Sequence, residues 1–419
     1  MRTILIRLAA VLILAAPAVS PAAPATAATV GAVRAAVDNA IYTWWAQPVA
    51  VNDGDHTWIG SIARLGTVRV SRVHPATGAV RTVEMSRTNR PDDHNAPTIA
   101  FEAGQPNLVV FYTGHNYDNV MRYRTVDRTT LAVGPERQLT FSGDITYAQV
   151  LRTGRRLVLL TRVAISTWRY RVSDDFGTTW GPEQMLVDAR GYGQVYVVAK
   201  PEPGNANRNL LAFYGHPVNS PYRNVEFARI DLTSGSVERL NGQVLGNLYS
   251  TAGPGLRPGQ MDPAITPSAG YKVRLLDIGV VGGRPTIAYA VWNGSTGAAT
   301  YKTKMFLDGA WSTPPWAVPS GDPFGYDPAT HYLGGTVIGR ADRLYTARQD
   351  NSSGTWHVEQ WRWSESQRTF VLDRELLRDA RLPLVRPYVP ARAGQTEVIV
   401  QRLVSYTGIT SYDADVLVL

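Results

Sequence analysis

Two histidines about twenty residues apart carry the first chemical signal in this chain. His94 stands in Asp92-Asp93-His94-Asn95-Ala96-Pro97, and His115 in Tyr112-Thr113-Gly114-His115-Asn116. Each lies at the edge of a β-pattern: His94 precedes the strand-like run 98–101, and His115 follows the apolar run 108–112. Two strands of one hairpin would bring both imidazoles to one rim. An imidazole titrating near pH ~6.5 can take a proton there in its neutral form, or give one as imidazolium. Asp92 and Asp93 are poorer acid–base candidates: their side chains would project to opposite sides if the segment were extended, and they read as turn residues that hold His94 in place.

The elements that must position these groups are strands. Helical periodicity is scarce beyond the N-terminus, and short runs of Val, Ile, Tyr, Thr and Trp alternate with Gly, Asp, Asn and Pro. Aligned, the runs repeat as units that begin near Gln47, His94, Tyr147, Tyr196, Val273, His331 and Arg386. A period of about 50 residues is that of propeller blades with four strands each. The expected fold is therefore all-β, a single seven-bladed β-propeller of four-stranded antiparallel blades. The longest interval contains 245–266, rich in Gly and Pro, which reads as an inserted loop. In the third unit, Ser173-Asp174-Asp175-Phe176-Gly177-Thr178-Thr179-Trp180 matches the Asp-box pattern S-x-D-x-G-x-T-W. That pattern is a structural hairpin turn, with Gly at positive φ and polar side chains bonding the turn backbone.

Alignment of the units also aligns their chemistry. The second strands end at His115, Arg162, His216, near Trp292, and at Arg348. The first strands start at His94, Tyr147, Tyr196, His331 with Tyr332, and Arg386 with Tyr388. Equivalent positions of a propeller sit at equal heights around one axis, so these series predict two rings at the mouth of a central channel. A single His or Tyr at a strand end is more often a structural hydrogen-bonding residue. Two His, a Tyr and an Arg at matching positions of adjacent blades point instead to function: His94, His115, Tyr147 and Arg162 as catalytic candidates. Asn95, Asn116, Tyr196, His216, His331 and Arg348 are the expected substrate contacts.

Composition narrows the class. Of 419 residues, 44% are apolar and 18% charged, enough for a large core and too little charge for a disordered chain. Arg2 and Arg7, the apolar run 8–16 and Ala25-Thr26-Ala27 read as a secretion leader over residues 1–27, with an extracellular propeller domain over 28–419. No Cys is present, which removes thiol nucleophiles and Cys-bound zinc. The net charge of +8 is carried mostly by scattered arginines. Scattered Arg suits a carboxylate- or sulfate-bearing partner better than nucleic acid, which is met by basic runs. Nothing after the leader is long and apolar enough for a membrane span, and a monomer is expected.

A His/Tyr/Arg site without paired free carboxylates fits β-elimination on a uronic acid. That reaction needs a cation against the C6 carboxylate, a base for the C5 proton and an acid for the leaving O4. Arg162 can neutralise, and an imidazole or Tyr147 can move the proton. Glycoside hydrolysis usually needs two Asp or Glu flanking the bond. The chain also resembles the secreted BNR-repeat seven-bladed propeller family that includes ulvan lyases and rhamnose-glucuronate lyases. The resemblance rests on 92–97, Phe111-Tyr112 to His115-Asn116, Arg122-Tyr123-Arg124, Thr146-Tyr147, Arg162, the 173–180 turn, Gly215-His216-Pro217, Gly283-Arg284-Pro285 and His331-Tyr332 to Gly335. It departs at Gln194-Val195-Tyr196, where the family often has Arg-Pro-Tyr.

The resemblance implies an anionic polysaccharide substrate. His115 would be the base, Tyr147 the acid or a shared acid/base, Arg162 the neutraliser and His94 a second neutraliser or positioning group, with the two histidines exchangeable. The chemistry needs no metal, and a structural Ca²⁺ is compatible with it. The alternatives are a glycoside hydrolase such as an exo-rhamnosidase on the same scaffold, and a non-catalytic carbohydrate-binding propeller.

Overall fold

Seven antiparallel sheets follow one another along the chain, as the spacing of the β-runs predicts. The computed structural model describes residues 33–87, 90–205, 207–294, 299–320, 332 and 335–419. The leader 1–27 and His331 lie outside them. Blade 1 comprises Ala50–Asp53, His56–Ile62, Thr67–His74 and Ala79–Arg87. Blade 2 comprises Thr98–Ala100, Asn107–Tyr112, Val120–Asp127 and Arg137–Thr140, and blade 3 Ile145–Thr153, Arg156–Val163, Thr167–Ser173 and Gln184–Asp188. Blade 6 comprises Gly335–Ile338, Arg343–Gln349, Trp356–Ser364 and Thr369–Asp379. Blade 7 takes three strands from the C-terminus (Leu384–Tyr388, Ile399–Gly408, Ser411–Val418) and its outermost strand, Ala35–Val37, from the N-terminal end.

Blades 4 and 5 share a variation. Their first three strands are Val195–Pro201, Arg208–Gly215 and Val225–Asp231 in blade 4, and Tyr271–Val281, Arg284–Asn293 and Ala299–Leu307 in blade 5. In each, two short segments divide the outer edge: Ser236–Glu238 with Asp262–Ile265, and Ala310–Ser312 with Ala317–Pro319. The 245–266 stretch is therefore not wholly a loop. It begins within the strand Val244–Asn247 and ends with Asp262–Ile265. The second of these covers backbone groups at 225–227 that would otherwise be an open sheet edge.

The innermost strands stand side by side in blade order. The ring is joined between its ends by Asn52 N–H to the Ala391 carbonyl (2.9 Å) and Ala391 N–H to the Ala50 carbonyl (2.8 Å). Blades pack face to face, so both faces of an inner strand are covered; Ile145 to Leu151 is buried at every position. The turn at 173–180 ties two blades together. Asp175 Oδ1 accepts from the Thr178 and Thr179 N–H groups, Gly177 takes φ +85°, and Trp180 meets Phe111 and Tyr123 of blade 2 edge-on.

Two inner strands break register where they pass the channel mouth. The shift in blade 3 lies between Thr146 and Gln149, and that in blade 7 between Val385 and Tyr388. Within the first, Tyr147 has φ +67°; within the second, Arg386 has φ +47°. Bulges re-aim side chains, and a left-handed non-glycine costs about 1–3 kcal/mol, so it persists where surrounding structure enforces it. Trp180→Ala should lower stability by about 2–3 kcal/mol, the low end for a half-buried aromatic. A urea midpoint that falls at unchanged slope would register the loss, and an unmoved midpoint would show that the ring does not bind the blades.

Candidate active site

A single 3₁₀ turn, Asp93–Asn95, sets the geometry of both histidines. Asp92 caps it, its Oδ1 accepting from the His94 N–H at 3.0 Å and from His94 Nδ1 at 2.8 Å. Its other oxygen, Oδ2, accepts from His115 Nδ1 at 2.9 Å and from Tyr117 Oη at 3.3 Å. One carboxylate thus orients two imidazoles, which stack 4.0 Å apart at 10°. The aspartates are thus turn residues that hold His94, as expected: both reach the same His94 Nδ1, with Asp93 Oδ1 also at 2.8 Å.

The two rings are not equivalent. His94 engages both nitrogens, Nε2 lying 3.0 Å from Tyr332 Oη, and burial disfavours its charge. Asp93 and Asp92 outweigh that burial and raise its pKa above the ordinary value. His115 has its pKa lowered by burial and by the charge on His94, against the pull of Asp92. Its Nε2 has no hydrogen-bond partner among the described residues, and 20% of its side chain is accessible, against 6% for His94. With Nδ1–H donated to Asp92, His115 presents a neutral, basic Nε2 outward.

Asp93 is buried completely and ties together three blades. Arg386 Nη2 donates to its Oδ2 at 2.8 Å, Tyr406 Oη donates to the same oxygen at 3.0 Å, and Tyr332 Oη donates to Oδ1 at 3.3 Å. Burial pushes the Asp93 pKa up, but Arg386 and His94 hold it below the ordinary value. Both carboxylates are therefore ionised and occupied by cations and hydroxyls.

Beside this network, Arg162 lies over the rings of Tyr147 (4.9 Å) and Tyr196 (5.2 Å), bridging blades 3 and 4. It is 1% exposed, and its Nε and Nη1 find no hydrogen-bond partner among the described residues. The Tyr147 hydroxyl is also buried without a partner among the described residues, and burial first, then Tyr196, keeps it protonated far above its usual range. Buried donors of this kind call for a partner, such as a water or a substrate group. His216 is held differently: its Nδ1 accepts from the N–H groups of Val218 (3.1 Å) and Asn219 (3.0 Å). That fixes the proton on Nε2, and burial with the charges of Arg274 and Arg162 pushes its pKa down to about 3. His216 is a neutral hydrogen-bond donor.

The structure thus brings together His94, His115, Tyr147, Arg162, Tyr196 and His216. Asn116 supports the backbone, with φ +53° and Oδ1 accepting from Thr146 Oγ1 at 2.8 Å. Asn95 is fully buried and donates to the Arg90 carbonyl at 3.4 Å. Arg348 forks onto Glu359 of the adjacent strand at 2.6 and 2.9 Å, an ion pair within its own blade. Trp45, Arg274 and Tyr406 join the cluster without having been selected from the sequence. Trp45 stacks on Tyr196 at 4.6 Å and also meets Tyr147, Tyr332 and His94, while Arg274 lies over its ring. Arg274 is the fourth residue of the first strand of the fifth unit, Tyr271–Val281, next to Val273 where the unit is aligned, and so lies at a ring position that blade alignment could have supplied. Tyr406 near the end of the seventh unit's second strand is the same kind of omission.

Asp92, His94 and His115 offer ligand atoms within 4.8 Å of one another, the spacing of a cation site. Each Nδ1 is, however, directed at an Asp92 oxygen at hydrogen-bond distance, so the geometry is that of a carboxylate orienting two imidazoles. No described helix is long and apolar enough to cross a membrane.

Comparison with known proteins places the fold. No family model and no curated protein matches the chain. Among solved structures, it is similar to a polysaccharide lyase described as a PL25 ulvan lyase, with TM-score 0.70 and 13% identity over 92% of this chain and 95% of the other. The same description applies to a structure bound to -[GlcA(1-4)Rha3S]-, with TM-score 0.70 and 12% identity over the same shares. Polysaccharide lyase Uly1 has TM-score 0.52 and 12% identity over 89% of this chain and 90% of its own. At these identities the likeness is one of fold.

The histidines should titrate apart, His94 above and His115 below the ordinary value of about 6.5. Ring-proton NMR titration would resolve two midpoints, and Asp92→Asn should lower that of His94; a shared midpoint would contradict the shared-carboxylate geometry. The linked stability has a defined window. The His94 contribution is complete below about pH 6.5 and is lost as pH rises through its raised folded pKa. The Asp92 contribution is present above about pH 3.9 and is lost as pH falls towards its depressed folded pKa.

Proposed function

We propose that the protein is a secreted polysaccharide lyase acting on a uronic-acid-containing polymer. The observation that carries this reading is the unpartnered, accessible Nε2 of His115 in a site whose two carboxylates, Asp92 and Asp93, are buried and engaged. Among the described residues the site offers a base but no pair of reachable carboxylates, which most glycoside hydrolases need about 5–10 Å apart.

The residues divide the work of elimination. His115 Nε2 takes the C5 proton of a glucuronate or iduronate. The electrons of that C–H bond form the C4–C5 double bond, and the C4–O4 bond breaks. Tyr147, held protonated by burial, supplies the proton to the departing O4. Arg162 and the imidazolium of His94 offset the charge that the C6 carboxylate gains in the transition state. His94 has no free nitrogen for proton abstraction, which favours His115 as base over the exchanged assignment. Tyr196 and the Nε2–H of His216 border the same site and are the nearest candidates for holding the sugar. The ulvan lyase bound to -[GlcA(1-4)Rha3S]- supports a glucuronate next to rhamnose as the first polymer to try.

Incubation with ulvan and other polyuronates should generate the ultraviolet absorbance of a 4,5-unsaturated uronate. Reducing ends formed without that absorbance would indicate hydrolysis and sink the lyase reading. His115→Ala should reduce kcat by about 10²–10⁴-fold while polymer affinity is retained. The rate should require neutral His115 and charged His94. Its acid limb should therefore report His115, below the ordinary value of about 6.5, and its alkaline limb His94, above it; a rate that does not fall on the acid side would exclude neutral His115 as the base.

A further inference from the structure

The segment Trp44 to Pro48 runs across the central channel. Trp45 packs into the His/Tyr/Arg cluster, whereas Gln47 and Pro48, two and three residues on, line a separate cavity of about 410 Å³. That cavity opens at the opposite mouth, where the inner strands end. Each blade contributes to its wall, among them Val51, Ile99, Val150, Ile278, Ile338 and Val389. Backbone bonds hold the dividing segment: Gln47 N–H to the Ala148 carbonyl at 3.0 Å, and Val150 N–H to the Gln47 carbonyl at 2.8 Å. The two mouths are therefore separate compartments.

Charge around the second compartment is one-sided. Its lining includes Arg152, Lys200, Arg340 and Arg392, and no Asp or Glu. Lys200 is engaged by buried Asp277 at 2.8 Å, and Arg152 by Glu102. Arg340 donates to the Pro390 carbonyl, and Arg392 lies over the Phe101 ring at 4.7 Å. Neither of these two guanidinium groups forms an ion pair among the described residues. A concave apolar wall of this volume with a few convergent polar groups is the usual form of a small-molecule site, and guanidinium forks suit carboxylate or sulfonate.

We propose that this mouth is a second binding site, for a small amphipathic anion with an apolar body in the channel and its acidic head at Arg340 and Arg392. The site is distinct from the histidine cluster and needs no catalytic activity. The probe is 1-anilinonaphthalene-8-sulfonate, followed by its fluorescence and displaced by decanoate, with decanol as the uncharged control. Saturable one-to-one binding is expected, displaced by decanoate at least tenfold more effectively than by decanol. Arg392→Glu, a change at an exposed side chain, should weaken it at least tenfold, and Arg340→Gln should weaken it independently. His115→Ala should leave it unchanged. Circular dichroism and the thermal midpoint of each variant separate loss of the site from loss of the fold. Binding that is absent up to millimolar probe, indifferent to both arginine changes in folded protein, equally displaced by decanol, or abolished by His115→Ala would overturn the proposal.

Discussion

Two adjacent carboxylates buried at one mouth of a channel are the constraint around which this molecule is arranged. Asp92 and Asp93 are 1% and 0% exposed, and an uncompensated charge at such depth is strongly destabilising. Compensation comes from elements distant in sequence: His94 on the same turn, His115 at the end of the next strand, and Arg386, Tyr406 and Tyr332 from blades 6 and 7. Breaking a buried pair by removing one partner typically costs about 3–5 kcal/mol, so the ionic cluster also helps to hold blade 7 against blade 2.

The same compensation differentiates two otherwise similar side chains. Asp92 gives one oxygen to each histidine, but Asp93 and Tyr332 are shared only with His94. His94 becomes the fully engaged ring whose charge is favoured, and His115 the ring whose charge is disfavoured, with a nitrogen to offer. Their stacking reinforces the difference, because the charge on His94 further disfavours a proton on His115. On the next blades, Arg162 and Tyr147 remain with unsatisfied donors, while the Trp45 ring fills the channel between them and blades 4 and 6.

Much of this arrangement was readable from residue spacing. A propeller repeats one supersecondary unit at a nearly constant interval, so aligning His94 with Tyr147 and Tyr196, and His115 with Arg162 and His216, was enough to group residues that meet in space. Reading failed where the regular period is broken. The 3₁₀ turn at 93–95 agrees with Asp92 and Asp93 as turn residues holding His94, but no spacing shows that Asp92 also reaches His115. The bulges at Tyr147 and Arg386 depend on contacts with neighbouring blades, and the first has no Gly or Pro beside it to mark it. Trp45 precedes the first blade and so belongs to no repeat. Arg348 sits at the expected height, but the neighbouring Glu359 claims it, a pairing set by cross-strand register.

The sequence by itself determined the strand periodicity, the seven units, and the concentration of His, Tyr and Arg at strand ends, because these follow from local β-propensity and a repeated spacing. Only the tertiary structure decided which histidine carries the proton, which arginine keeps open donors, and that the channel is divided into two compartments. Those outcomes depend on burial and on the distances between groups brought together from separate blades. Neither quantity is present in the chain until the ring has formed.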